Sequence, residues 1–335
     1  MNKLLIAVAI VITTNQASNV CRAELPLVAQ KPILVSGGAG SFDWMAVDGK
    51  LSRLYACHKG TGTLTILDLK TEKVLPAVKV GAAQGVAFDA KGNKIFIGNS
   101  TENNLIILDR SSFKKIGELK LDGPVDDIVF NTKNNLLYAD NDDGTKVWAI
   151  DCNDSANPKI VATVTIPSGP EYVEYSTVTN RLYQNIKTND TVQVINPETQ
   201  KVEAQWKTGA ATGPHGLAID NKNSLVFSAG KTGKLVVMDM KTGVIKTTVD
   251  IKSGVDQIAY DRSNKRLYCA CKDFISVVEI AADGGAKLLA DVPSPAGSHT
   301  LAIDRASHSV WVCYADKKDS YLQKFTVPGL AQAKE

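Results

Sequence analysis

The chain is short of the residues that usually announce chemistry. Its 335 residues include only four histidines, four tryptophans and four methionines, and aromatics make up 6%. Basic and acidic residues number 38 and 35 and are interspersed, so no block of one sign exists to track a phosphate backbone. Nucleic acid is therefore not implied by charge. Gly-x-Ser-x-Gly, His-Glu-x-x-His and Cys-x-x-Cys are all missing, which removes the commonest local signatures of serine hydrolases, zinc proteases and dithiol or haem sites. After the first residues no apolar run reaches the length of a membrane helix, and none has a helical period.

What is present begins with Lys3 ahead of an apolar run, Leu4 to Ile12, and a small-residue polar stretch. That is the layout of a secretory signal peptide, with cleavage expected after Ala23 and a location in the periplasm or outside the cell. A cut near Ala17 and a lipid anchor on Cys21 are the rival readings. Residues 24–335 then form the mature chain, with Cys57, Cys152, Cys269, Cys271 and Cys313. An odd number leaves at least one thiol outside any internal disulfide. The 44% hydrophobic content suffices for a large core, so disulfides are optional.

The mature chain repeats. "GLAIDNKNSLVFSAGKTGKLVVMDMKTG" has counterparts such as "GVAFDAKGNKIFIGNSTENNLIILDRSS" and "QIAYDRSNKRLYCACKDFISVVEI", seven in all. Aligned on the residue closing the first apolar run, they place Asp48, Asp89, Asn131, Ser176, Asp220, Asp261 and Asp304 at intervals of 41, 42, 45, 44, 41 and 43. Each copy alternates β-branched or aromatic runs with Asn, Asp, Gly, Lys and Ser turns. Seven units of four antiparallel strands predict an all-β, seven-bladed β-propeller. The last copy stops after its third strand, while "KPILVS" before the first copy is spare, so the N-terminal strand is expected to close the last blade. Two stacked sandwiches would leave both the phase and the matching ends unexplained.

The third copy, "LLYADNDDGTKVWAID", and its neighbours resemble the YVTN-repeat β-propeller family, in which an aromatic strand end is followed by Asn and then by an Ile-Asp strand. The Asn stands at Asn99 and Asn141 and is replaced by His58, Ile186, Gly230, Cys271 and Tyr314 elsewhere. The resemblance spans the mature chain and implies an exported scaffold or binding protein. Similar propellers carry enzymatic or haem-binding roles, and fold alone does not decide between them.

In such a ring the starts of the innermost strands and the ends of the second strands meet at one mouth, the default place for a ligand. Five residues before each aligned position stand Asp43, Gln84, Asp126, Glu171, His215, Asp256 and His299, none of them apolar. With His58, from a second-strand end, these are the candidate ligand-binding residues. Asp43, His58, His215, Asp256 and His299, beside the thiols of Cys57, Cys271 and Cys313, fall in neighbouring blades and suit zinc or copper. Asp126, Glu171, Asp140, Asn141 and Asn185 offer oxygens to calcium, which a metal-dependent lactonase-like hydrolase or lyase would need. Against both stands the plain requirement that residues around a wet channel be polar, and that buried cysteines act as small hydrophobes.

The expected activity is therefore binding, of a small ligand, a divalent metal or a periplasmic protein, through that mouth, with the hydrolase or lyase as the alternative. Three further features read as structural. "SGGAGSF" joins strand to strand and lacks a helix end for phosphate. Trp44, Trp148, Trp206 and Trp311 are expected to pack within blades, and Lys70, Lys231 and Lys241 to sit in solvated hairpins. His308 is expected to be a turn residue on the opposite face.

Overall fold

The structure, a computed structural model, describes residues 25–329; the leader expected at 1–23, Cys21 included, lies outside them. Seven blades stand in a ring, each an antiparallel sheet that meanders outward from the axis. The innermost strands are Met45–Asp48, Ala83–Asp89, Val125–Asn131, Pro170–Ser176, Pro214–Asp220, Ile258–Asp261 and Leu301–Asp304. Every aligned residue of the repeat thus ends an innermost strand. No α-helix occurs among the described residues, and none of their helices is long and apolar enough to cross a membrane.

The repeat's polar punctuation has a local cause. Asp48 Oδ1 accepts the backbone N–H groups of Lys50 and Leu51, and Asp89, Asn131 and Asp220 do the same two and three residues ahead. Ser176 Oγ serves Thr179 N at 3.2 Å. Such side-chain turns hold the chain reversal without help from the sheet, which is why Asp, Asn or Ser recurs there. Four residues past the aligned position the backbone turns left-handed in every blade, at Ser52, Asn93, Asn135, Asn180, Ser224, Lys265 and His308, with φ between 51° and 57°. His308 is therefore a turn residue like its six counterparts.

Packing runs between blades. Seven hydrophobic layers fill the seven gaps, each drawing apolar residues from two adjacent sheets; Leu225, Phe227 and Val237 of blade five meet Val255, Ile258 and Cys269 of blade six, for example. Innermost strands bury residues on both faces because both neighbouring blades cover them. The ring closes as the ends of the sequence suggest. Ile33, Leu34 and Val35 pair with Leu322, Tyr321 and Ser320, and Val28–Ala29 extends the same edge. Pro32 separates these two segments, and Pro76 divides the outer strand of blade one into Lys73–Val74 and Val78–Lys79. Proline lacks the N–H a ladder needs, and edge strands tolerate that.

Candidate functional site

The mouth of the axial channel is a cavity of about 260 Å³ lined by Asp43, Gln84, Asp126, Glu171, His215 and Asp256. Six of the seven aligned polar positions thus meet, and His299 stands beside them, its Nε2 3.6 Å from Asp256 Oδ2. In blades two to five the mouth residue sits where the ladder slips register, between Ala83 and Gly85, Val125 and Ile128, Pro170 and Val173, and Pro214 and Gly216. A bulge re-aims a side chain that simple alternation would send elsewhere. In blades one, six and seven the residue precedes the strand altogether.

Two of the histidines are fixed by one device. His215 Nδ1 lies 2.8 Å from Gly213 O, and His299 Nδ1 lies 2.8 Å from Gly297 O. A carbonyl only accepts, so Nδ1 carries the proton and Nε2 is left with its lone pair. The glycines adopt φ of 58° and 82°, which turns each carbonyl back toward its own histidine. His215 Nε2 then faces Glu171 Oε1 at 3.5 Å. Two acceptors confront each other there, and the same Glu171 Oε1 also accepts from Lys187 Nζ at 2.5 Å. Burial pushes the Glu171 carboxyl up to about 7, against the pull of Lys187. Burial first and then Lys231 hold His215 down at about 4, so the imidazole stays neutral.

Glu171, His215 and Asp256 each offer one donor atom, and these atoms lie within 4.8 Å of one another. Tetrahedral donors about 2.0–2.1 Å from zinc stand roughly 3.3 Å apart, so a small contraction would close the set. Imidazole held through Nδ1 by a backbone carbonyl is also the usual second-sphere arrangement of a histidine ligand.

Lysines accompany the acids. Lys59 lies 3.3 Å from Asp43, Lys187 2.5 Å from Glu171 and Lys231 3.4 Å from Asp256. All three occupy the same repeat position, eleven residues past the aligned turn residue, a column of the alignment that carries them openly. Lys231 is thus a mouth residue and no mere hairpin lysine. On the other side of the ring Gln84 Nε2 donates to Asp126 Oδ1 at 2.8 Å and to Asp142 Oδ2 at 3.4 Å.

The floor was not legible. Trp44, expected to pack inside a blade, precedes its strand and lays its ring against Tyr172 of blade four, centroids 4.3 Å apart. Blades one and four are not neighbours, so this pair crosses the axis and roofs the channel below. Gln257 braces it, accepting from Met45 N and Leu301 N and donating to Met45 O.

Several expected ligands lie elsewhere. His58 is fully buried between blades seven and one, stacked on Phe42 with Nε2 3.0 Å from Ser320 Oγ, and burial lowers its basicity. The second-strand end turns inward here because the blade gap is apolar and must be filled. Cys57, Cys271 and Cys313 are buried and free, with thiols pushed upward by desolvation, so they are not thiolate ligands at the mouth. The calcium set disperses as well. Asp140 is spent on Asp127 N and Gln184, Asn141 on Pro124 O, and Asn185 on His215 O and Gly216 O. Only Asp126 and Glu171 of that group reach the mouth.

No protein-family model and no curated protein matches this chain. Solved structures do. A chain of the Kuenenia stuttgartiensis hydrazine synthase is 13% identical with a TM-score of 0.73, covering 89% of this chain and 98% of its own. A chain of a mitotic checkpoint complex is 13% identical at 0.76, covering 96% and 99%. The β-propeller domain of Myceliophteria thermophila Cps50 (Swd1) is 12% identical at 0.71, covering 88% and 99%. At such identities the likeness is one of fold, and that fold is the seven-bladed β-propeller.

Proposed function

We propose that the chain is an exported binding propeller of the YVTN-repeat type whose mouth takes a divalent transition-metal ion on Glu171, His215 and Asp256, with His299 at hand beside Asp256. One observation carries this reading: the lone pair of His215 Nε2 faces a carboxylate oxygen at 3.5 Å, with the imidazole neutral. A donor set of one imidazole and two carboxylates suits zinc or copper better than calcium, which wants more oxygens. Export is supported by the leader-like stretch at 1–23. Amino-terminal sequencing of the periplasmic or secreted protein tests it, and an intact Met1 would refute it.

The metal reading is tested by titrating zinc or copper into chelator-treated protein, by calorimetry or competition with a chromophoric chelator. One equivalent per chain is expected, weakened at least tenfold by His215→Ala, in keeping with the roughly 10–100-fold that even outer-sphere changes cost metal sites. Equal binding by the wild type and the variant would refute it.

A further inference from the structure

Beneath the Trp44–Tyr172 roof the channel opens into a second cavity of about 470 Å³, the size of small-molecule sites. Two residues before each aligned turn residue, the innermost strands place a side chain on its wall. Five of these seven are alanine and one is Val129; the seventh is Glu174. One position further on, Phe88, Phe130, Tyr175 and Tyr260 border the cavity while their rings pack into the layers between blades. The wall thus carries mostly small side chains with a single carboxylate, Glu174, and a single cation, Arg305, beside the amides of Asn221 and Gln257.

That carboxylate has no hydrogen-bond or ion-pair partner among the described residues. Arg305 acts on Glu174 only at a distance, and its guanidinium donates instead to Tyr260 O at 3.4 Å. Glu174 is half-buried on the wall of this cavity, and desolvation pushes the group up to about 7. A carboxylate in low-polarity surroundings is costly unless paired.

We propose that this lower cavity is a second ligand site, separate from the mouth, and that it takes an organic ammonium ion with a small apolar body. The ammonium sits on Glu174 and the body lies against the alanine wall. Metal ions are disfavoured, since one carboxylate among alanines cannot supply the several oxygens a hard cation requires. Neutral or anionic molecules of the same shape would leave Glu174 unpaired. The roof closes the mouth side, so entry is from the opposite face, where Asn221 and Arg305 line both this cavity and the adjoining surface pocket.

The test is calorimetry with phenethylammonium chloride on the full chain, with phenylethanol and potassium chloride as comparators. Wild-type protein should bind the ammonium at millimolar concentration or better, and phenylethanol at least about tenfold more weakly, as expected for loss of a charge-assisted contact. Glu174→Gln should lose about the same factor. Ala259→Leu, which fills the wall without touching charge, should block binding outright, and both variants are checked for native circular dichroism. Should Glu174→Gln fail to fold, Ala259→Leu and the phenylethanol comparison decide. Absence of wild-type binding, equal binding of phenylethanol, displacement by equimolar potassium, or binding unchanged in either folded variant would overturn the proposal.

Discussion

The two halves of the mouth are built from one repeat position and behave differently. In blades one to three the mouth carboxylates meet donors: Asp43 has Lys59, and Asp126 has the amide of Gln84. In blades four to seven an imidazole lone pair also faces each carboxylate, His215 against Glu171 and His299 against Asp256, although Lys187 and Lys231 reach the same two acids. A ring of polar side chains is what any wet channel shows. What sets one half apart is a free imidazole lone pair facing a carboxylate, and that pairing occurs only on the side of His215 and His299.

The sharpest way to break this contrast is to alter one residue on each side. His215→Ala should weaken zinc about 100-fold, whereas Asp126→Asn should change it less than about threefold, since a lost ligand exceeds the outer-sphere scale and a distant amide does not reach it. Equal effects, read by chelator competition, would mean that the halves do not differ. A second change should act in the opposite direction. Lys187 holds Glu171 at 2.5 Å and so competes with a metal for the same oxygen. Lys187→Met should therefore raise zinc affinity, by about tenfold if one charge-assisted bond is at stake.

The pH dependence of that affinity follows from the same pair. Glu171 titrates at about 7 because burial favours its protonated form, and a metal must displace that proton. Affinity should rise as pH passes upward through about 7. His215, at about 4, should add nothing above pH 5. A zinc affinity flat from pH 6 to 8 would remove Glu171 from the set.

Much of this was readable from the chain, for a physical reason. The turn residue at Asp48 and its counterparts is chosen by local hydrogen bonds, so it recurs in the sequence and fixes the phase of all seven blades. Phase then gathers Gln84, Glu171 and His215 at one mouth. Gly213 and Gly297, two residues before His215 and His299, were equally visible and signal how the rings are oriented. Orientation elsewhere was hidden. His58 follows the repeat as closely as His215 does, yet a strand end without a bulge leaves it facing the blade gap, where Phe42 and Ser320 enclose it. Trp44 and Tyr172 meet across the axis, a contact between blades one and four that no nearest-neighbour reading of a repeat contains.

The smallest expected effect concerns the quiet half and stability. Asp140 of blade three is fully buried, and desolvation, opposed by Gln184 and Asp127 N, pushes its carboxyl well above the usual range. The folded protein therefore binds a proton that the unfolded chain, titrating near 4, releases. Stability from this group is complete below pH 4 and falls as pH rises toward the folded value. Asn at this position carries no charge to desolvate. Its oxygen can still accept from Asp127 N, and its amide can donate to Gln184 Oε1, which is buried without a partner, once the Gln184 amide turns over. Asp140→Asn should thus match the wild type in thermal midpoint near pH 4 and exceed it at pH 8, by about 2–4 °C for each kcal/mol recovered. A variant that melts lower at both pH values would show that Asp140 is ionised in the fold and that its hydrogen bonds outweigh its burial.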